Sequence, residues 1–173
     1  MIYALDTIWY VFSTAMQTIN PTRQLMGYMA AQDWPPKTIA FDSFYLLTLG
    51  DTPIGKESWS AQTSFYMMTC QFQWINKGTE ASTYNNVLGR NRGDRVRTNY
   101  QMRQELLQAL YPGFATKEQI AFANGGLTIT PLPESIWWTG MPTFVPREDR
   151  ESGLMFTVAT VKIGSMITTS EAA

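Results

Sequence analysis

The stretch that most constrains the fold is Phe65 to Lys77, FYMMTCQFQWINK. Tyr66, Met68, Cys70, Phe72 and Trp74 alternate with Thr69, Gln71 and Gln73, the period-two pattern of a strand with one buried face and one wet face. A helix would scatter these residues around its circumference, and the aromatic content suits a pleated surface. The pattern places this strand in the middle of a sheet, ended by the turn residues Asn76-Lys77-Gly78.

The other elements arrange themselves about it. Leu5, Ile8, Trp9, Phe12, Ala15, Met16 and Ile19 recur at helical spacing, and Asn20-Pro21 stops that helix. Gln24 to Ala31 reads as a short helical turn, and Asp33-Trp34-Pro35-Pro36 as a stiff extended connector with an anchoring Trp. Thr38 to Leu49 alternates as a second strand, covered on both faces. Gly50 to Thr63 is longer than a hairpin turn needs and is read as a projecting β-arm, with Ile54, Lys56 and the lone Trp59 as contact residues. That reading expects the arm to pack on a neighbouring subunit, so that shortening it leaves the monomer folded and abolishes assembly.

Thr79 to Asp94 is a polar loop with Asp94 as N-cap of a helix over Arg95 to Leu110, whose stripe is Val96, Tyr100, Leu106, Leu107 and Leu110. Arg103 interrupts the stripe, either lying along the sheet or meeting a carboxylate at a subunit contact. Gln119 to Phe122 and Leu127 to Ile129 read as short strands or as one strand interrupted at Asn124-Gly125-Gly126. Ser135 to Thr139 carries Trp137-Trp138, which pack at an edge or interface because paired tryptophans are costly to leave in water. Pro142 to Gly153 is a charged loop with Arg147, Glu148, Asp149, Arg150 and Glu151, and Leu154 to Ile163 is the last strand. The whole predicts one α+β domain over residues 1–173: a mostly antiparallel sheet flanked by two main helices, with the arm at 50–63 and a fraying tail at 167–173.

Composition narrows the function. The chain has no histidine and one cysteine, which argues against a transition-metal site, a disulfide framework and His-based catalysis, so no cofactor is expected. Cys70 sits on the apolar face of the central strand as a small core residue. A formal net charge of -1 and no basic helical stripe argue against nucleic-acid binding. Asp6 interrupts the apolar N-terminal run, so neither a signal peptide nor a membrane span is expected and the chain reads as cytoplasmic. Charged residues make up only 16% against a typical value of about 25%, and aromatics reach 13%, a surface suited to cover by other subunits.

Local motifs add little chemistry. Gly50-Asp51-Thr52-Pro53-Ile54-Gly55-Lys56 has the wrong spacing for a phosphate loop, and Glu57 stands where magnesium would need Ser or Thr. Arg92-Gly93-Asp94 spells an integrin-type tripeptide inside a solvated loop. A carboxylate hydrolase would draw on Asp42, Asp51, Glu57, Asp94 and Glu134, but no two share one face of one element. A ligand-binding module would use the Trp-rich segment as a stacking platform, although adjacent Trp137 and Trp138 point to opposite faces of an extended chain.

In order, these elements resemble the tail terminator proteins of long-tailed bacteriophages. The resemblance rests on the helix Leu5 to Ile19, the proline-marked entry at Pro35-Pro36, the strand FQWINKGTE, the helix Val96 to Leu110 and the apolar strand Leu154 to Ile163. It implies a virion protein with no enzymatic chemistry: a ring, typically a hexamer, that caps the head-proximal end of a tail tube and faces the head connector. Another neck or head-closure protein is the neighbouring alternative. On this reading Ile54, Lys56, Trp59, Arg90, Arg92, Arg95, Trp137, Trp138, Arg147, Glu148 and Asp149 contribute to subunit contacts, with the Arg cluster of one copy meeting the acidic residues of another.

Overall fold

In the computed structural model, residues 2–48, 55–60, 63–76, 90–125, 135–139, 142–148 and 154–168 are described. In chain order the elements are α1 (Ile2–Ile19), β1 (Leu25–Ala30), a 3-10 turn (Ala31–Asp33), β2 (Phe44–Thr48), β3 (Gly55–Ser60), β4 (Thr63–Asn76) and α2 (Arg90–Leu110). They continue with β5 (Phe114–Ala115), α3 (Lys117–Ala123), β6 (Ser135–Trp138), β7 (Thr143–Glu148) and β8 (Met155–Thr168).

Two strands of 14 residues, β4 and β8, run antiparallel along their whole length, from Thr63↔Thr168 to Asn76↔Met155. Four strands attach directly to this pair, each along part of its length, and β1 and β5 attach through β2 and β6. At the Asn76 end the order is β1-β2-β4-β8-β7, and at the Thr63 end it is β3-β4-β8-β6-β5. The contact of β1 with β2 is parallel and the other pairings are antiparallel. The chain is an α+β domain built on a curled, mostly antiparallel sheet, with the arm as the β3–β4 hairpin.

Alternation decides which face is covered. Met68, Cys70, Phe72 and Trp74 of β4 lie opposite Ile163, Val161, Ala159 and Thr157 of β8, and all eight are buried. Helix α1 lays Phe12 on Phe44 and Phe72, with ring centroids 5.1 and 4.8 Å apart, while Ile8 and Met16 are buried beside it. Helix α2 buries Met102, Leu106, Ala109 and Leu110. Among the described residues the other face is covered over β2 and the adjoining end of β4, where Leu47 and Ile75 are buried, Trp34 packs edge-on against Tyr45 and the Ala40 N–H donates to the Tyr45 hydroxyl at 3.3 Å, and is open elsewhere. The proline connector therefore returns behind β2, and Gln73, expected to be wet, is buried there beside Tyr45.

Several expectations are corrected. Within Gln24 to Ala31, Leu25–Ala30 is strand β1 rather than a helical turn, because it pairs with β2. The second strand is shorter than Thr38 to Leu49: residues 38–43 are occupied by the connector, and Asp42 takes a left-handed conformation (φ 54) just before β2. Gln119 to Phe122 belongs to α3, started by Thr116, whose hydroxyl accepts from the Gln119 N–H at 3.2 Å while Gln119 Oε1 accepts from the Thr116 N–H at 2.9 Å. Helix α2 begins at Arg90, so Asp94 lies inside it and is not its cap. Part of the charged loop is strand β7, paired with β8, and β8 itself runs on to Thr168, so Ile167 and Thr168 do not fray. Leu127 to Ile129 falls outside the described residues.

Candidate subunit interface

The residues expected at subunit contacts fall into four groups, the last of them the tryptophan pair. Lys56 and Trp59 lie on β3, where Lys56 is opposite Tyr66 and the register shifts between Ser58 and Ser60; the described part of the arm is thus hydrogen-bonded to its own sheet. Ile54 and Asp149 lie outside the described residues. Arg90, Arg92 and Arg95 occupy the first turns of α2. Arg147 and Glu148 are the last residues of β7, opposite Phe156 and Met155.

Asn99 Nδ2 reaches Asn76 Oδ1 at 3.0 Å and Thr157 Oγ1 at 2.6 Å, whereas the Trp138 indole N–H reaches the Leu110 carbonyl at 2.7 Å. Helix α2 therefore starts at the Asn76–Met155 end of the sheet, the end at which β7 finishes. Both charged groups belong to one end of the domain.

The same end holds the densest polar cluster. Glu105, buried on α2, accepts from Arg23 Nε at 2.8 Å, Arg23 Nη2 at 3.0 Å and Asn20 Nδ2 at 2.8 Å. Arg23 Nη1 also donates to the Asp42 carbonyl at 3.2 Å, and Asp42 Oδ1 accepts from Asn76 Nδ2 at 2.6 Å. Glu105 is held in a bidentate ion pair and Asp42 by an amide, so the two carboxylates join α1, β2, β4 and α2 rather than converge on an open cavity. Of the other hydrolase candidates, Asp94 is helical, Glu57 is on β3, and Asp51 and Glu134 lie outside the described residues. Among the described residues no group of three or more His, Cys, Asp or Glu could hold a metal. Burial pushes the Cys70 thiol up from 9.0 to about 12, so it is a neutral core group at physiological pH.

The tryptophan pair divides as alternation requires. Trp138 is buried with its indole N–H bonded, while half-buried Trp137 lies on the open face of the sheet. A methyl at residue 164 would overlap the Trp137 indole, so Gly164 is what lets the ring lie flat on β8. The register sets Phe114, Trp137, Gly164 and Met67 in one row across four strands, with Phe114 58% exposed at its end.

On the helical side, α2 exposes Tyr100 (63%) and is followed by Tyr111 (86%). Between them Gln104, Leu107, Gln108 and Tyr111 line an open groove of about 350 Å³. Helix α3 adds Phe122, 73% exposed, its ring 4.9 Å from Tyr10. Sequence reasoning missed Tyr111, Phe114 and Phe122 as surface groups, Phe122 being placed in a strand. The capping pattern Thr116-x-x-Gln119 was the available signal for α3, and i, i+4 spacing from it puts Phe122 beside Glu118.

Neither a protein family nor a curated protein matches this chain. Among the described residues no helix is long and apolar enough to cross a membrane.

Proposed function

We propose that this chain is a structural virion assembly protein, a ring-forming tail terminator of a long-tailed bacteriophage, which stops tube growth at the head-proximal end and joins the tail to the head connector. The observation that carries the reading is the pairing of two unlike surfaces on opposite sides of one domain. The helical side exposes Tyr100, Tyr111 and Phe122, and the other side is an open sheet face of Thr, Gln and Val with the Phe114–Trp137 row. Head-to-tail association needs two different patches, and it closes into a ring when the rotation between neighbours fits. Large aromatics at the centre of such patches supply most of the contact energy. The partners are other copies of the chain, most simply six, together with the tail tube protein and the head connector; no cofactor and no catalysis enter the reading.

The test is mass in solution by light scattering with electron micrographs of the same sample, followed by addition to growing tail tubes. A ring that halts elongation is the expected result. A particle that stays monomeric at high concentration, both alone and with tubes, removes the proposal. A second reading, a ligand-binding module, draws on the flat Trp137 ring and Phe114; a stacking ligand that quenches Trp fluorescence in the wild type and not in Trp137→Ala would favour it.

A further inference from the structure

Arg103 is held by rings rather than by a carboxylate. Its guanidinium carbon lies 5.2 Å from the centroid of Tyr100 and 5.3 Å from that of Phe144. Its Nε is buried without an acceptor, and among the described residues no ion pair engages it. A guanidinium fixed in this way loses little freedom on meeting a carboxylate, and a desolvated arginine without an anion is a frequent anchor of protein contacts. One turn further along α2 from Arg103, Leu107 opens the groove completed by Gln104, Gln108 and Tyr111.

The complement lies on the same chain. Glu118 and Phe122 are exposed on α3 four residues apart, so that carboxylate and ring stand side by side on one helical face. Arg103 and Leu107 have the same four-residue spacing on α2. Resting on the ring reading above, we infer that neighbouring copies join through this pair of surfaces: Phe122 of one copy fills the Leu107–Tyr111 groove of the next, and Glu118 pairs with Arg103. The knob and the groove are different patches, so the contact is head-to-tail and repeats from copy to copy. The aromatic supplies strength, and the charge pair sets register.

A charge swap tests this on the full chain by sedimentation across a concentration series. Glu118 is exposed, so E118R leaves the core alone; it is expected to weaken association on the order of tenfold, as is R103E, and F122A more than either. The double variant R103E/E118R is expected to recover most of the loss, which only a direct pairing between copies explains. Thermal unfolding of each variant separates a folding defect from a contact defect. A wild type that associates, with E118R and F122A indistinguishable from it or with no recovery in the double variant, overturns this contact and leaves the ring. A wild type that is monomeric at every concentration overturns both.

Discussion

Trp74 lies at the centre of the core and carries a defect. It is fully buried, packed edge-on against Phe44 at 5.2 Å and against Phe144 at 6.3 Å, yet its indole N–H has no acceptor among the described residues. Trp74→Ala removes the whole ring system from between α1, α2 and the sheet, and is expected to cost about 3 to 5 kcal/mol. Trp74→Phe removes two ring carbons, worth about 0.8 kcal/mol each, and also the orphaned N–H, whose burial costs about 1 to 3 kcal/mol. The two effects oppose each other, so the Phe variant is expected within about 1 kcal/mol of wild type. Urea titration followed by far-UV circular dichroism reads both variants, with an unchanged m-value as the check on two-state behaviour. A Phe variant as damaged as the Ala variant would refute the reasoning, since it would mean that the N–H has a partner, such as a buried water.

Three further outcomes are expected. Glu105→Gln leaves Arg23 buried without its counter-charge and should cost about 3 kcal/mol by the same titration, because breaking one side of a buried pair is far more damaging than replacing the pair. The folded-state pKa of Cys70 is raised from 9.0 to about 12, so its contribution to stability is fully present below pH 9 and is lost as pH rises from 9 toward 12. Cys70→Ala should accordingly show a shallower loss of stability across that window, and the wild-type thiol should resist alkylation at pH 8 until urea unfolds the chain. Gly164→Ala displaces the Trp137 ring and should destabilise by about 1 to 3 kcal/mol, a loss largely absent when Trp137 is already Ala; additive effects in that cycle would show that the ring does not rest on Gly164.

The centre of the fold was legible because alternation over β4 and β8 is dictated by a sheet with one face under helices, and register follows from it. Strand β1 was not legible: Met26, Tyr28 and Met29 suit a helix as well as an edge strand, and only the pairing with β2 decides between them. Helix α2 was placed well at its C-terminus, where Gly113 takes a left-handed φ of 75 and its N–H bonds the Leu110 carbonyl. Its stripe was misread because Asn99 and Glu105 are buried by partners remote in sequence, Asn76, Thr157 and Arg23. The contact surfaces stayed hidden for a related reason: exposure of Tyr111 or Phe122 is a property of what fails to cover them, which no local pattern encodes.

The long β4–β8 ladder also governs when the protein can exist. Its rungs join residues separated by roughly a hundred positions, so closing it costs loop entropy before any rung repays it, and this topology belongs among slow folders. While a ribosome is still making residues before Met155, β4 has no β8, β7 has no strand to attach to, and β6 has only the two-residue strand β5. Until synthesis passes Thr168 the apolar row of Met68, Cys70, Phe72 and Trp74 therefore lacks its neighbouring row on β8, and an unpaired strand edge of this kind is what makes an incomplete chain prone to aggregation. The far half of the sheet arrives late and all at once, because β5, β6 and β7 join it only through β8.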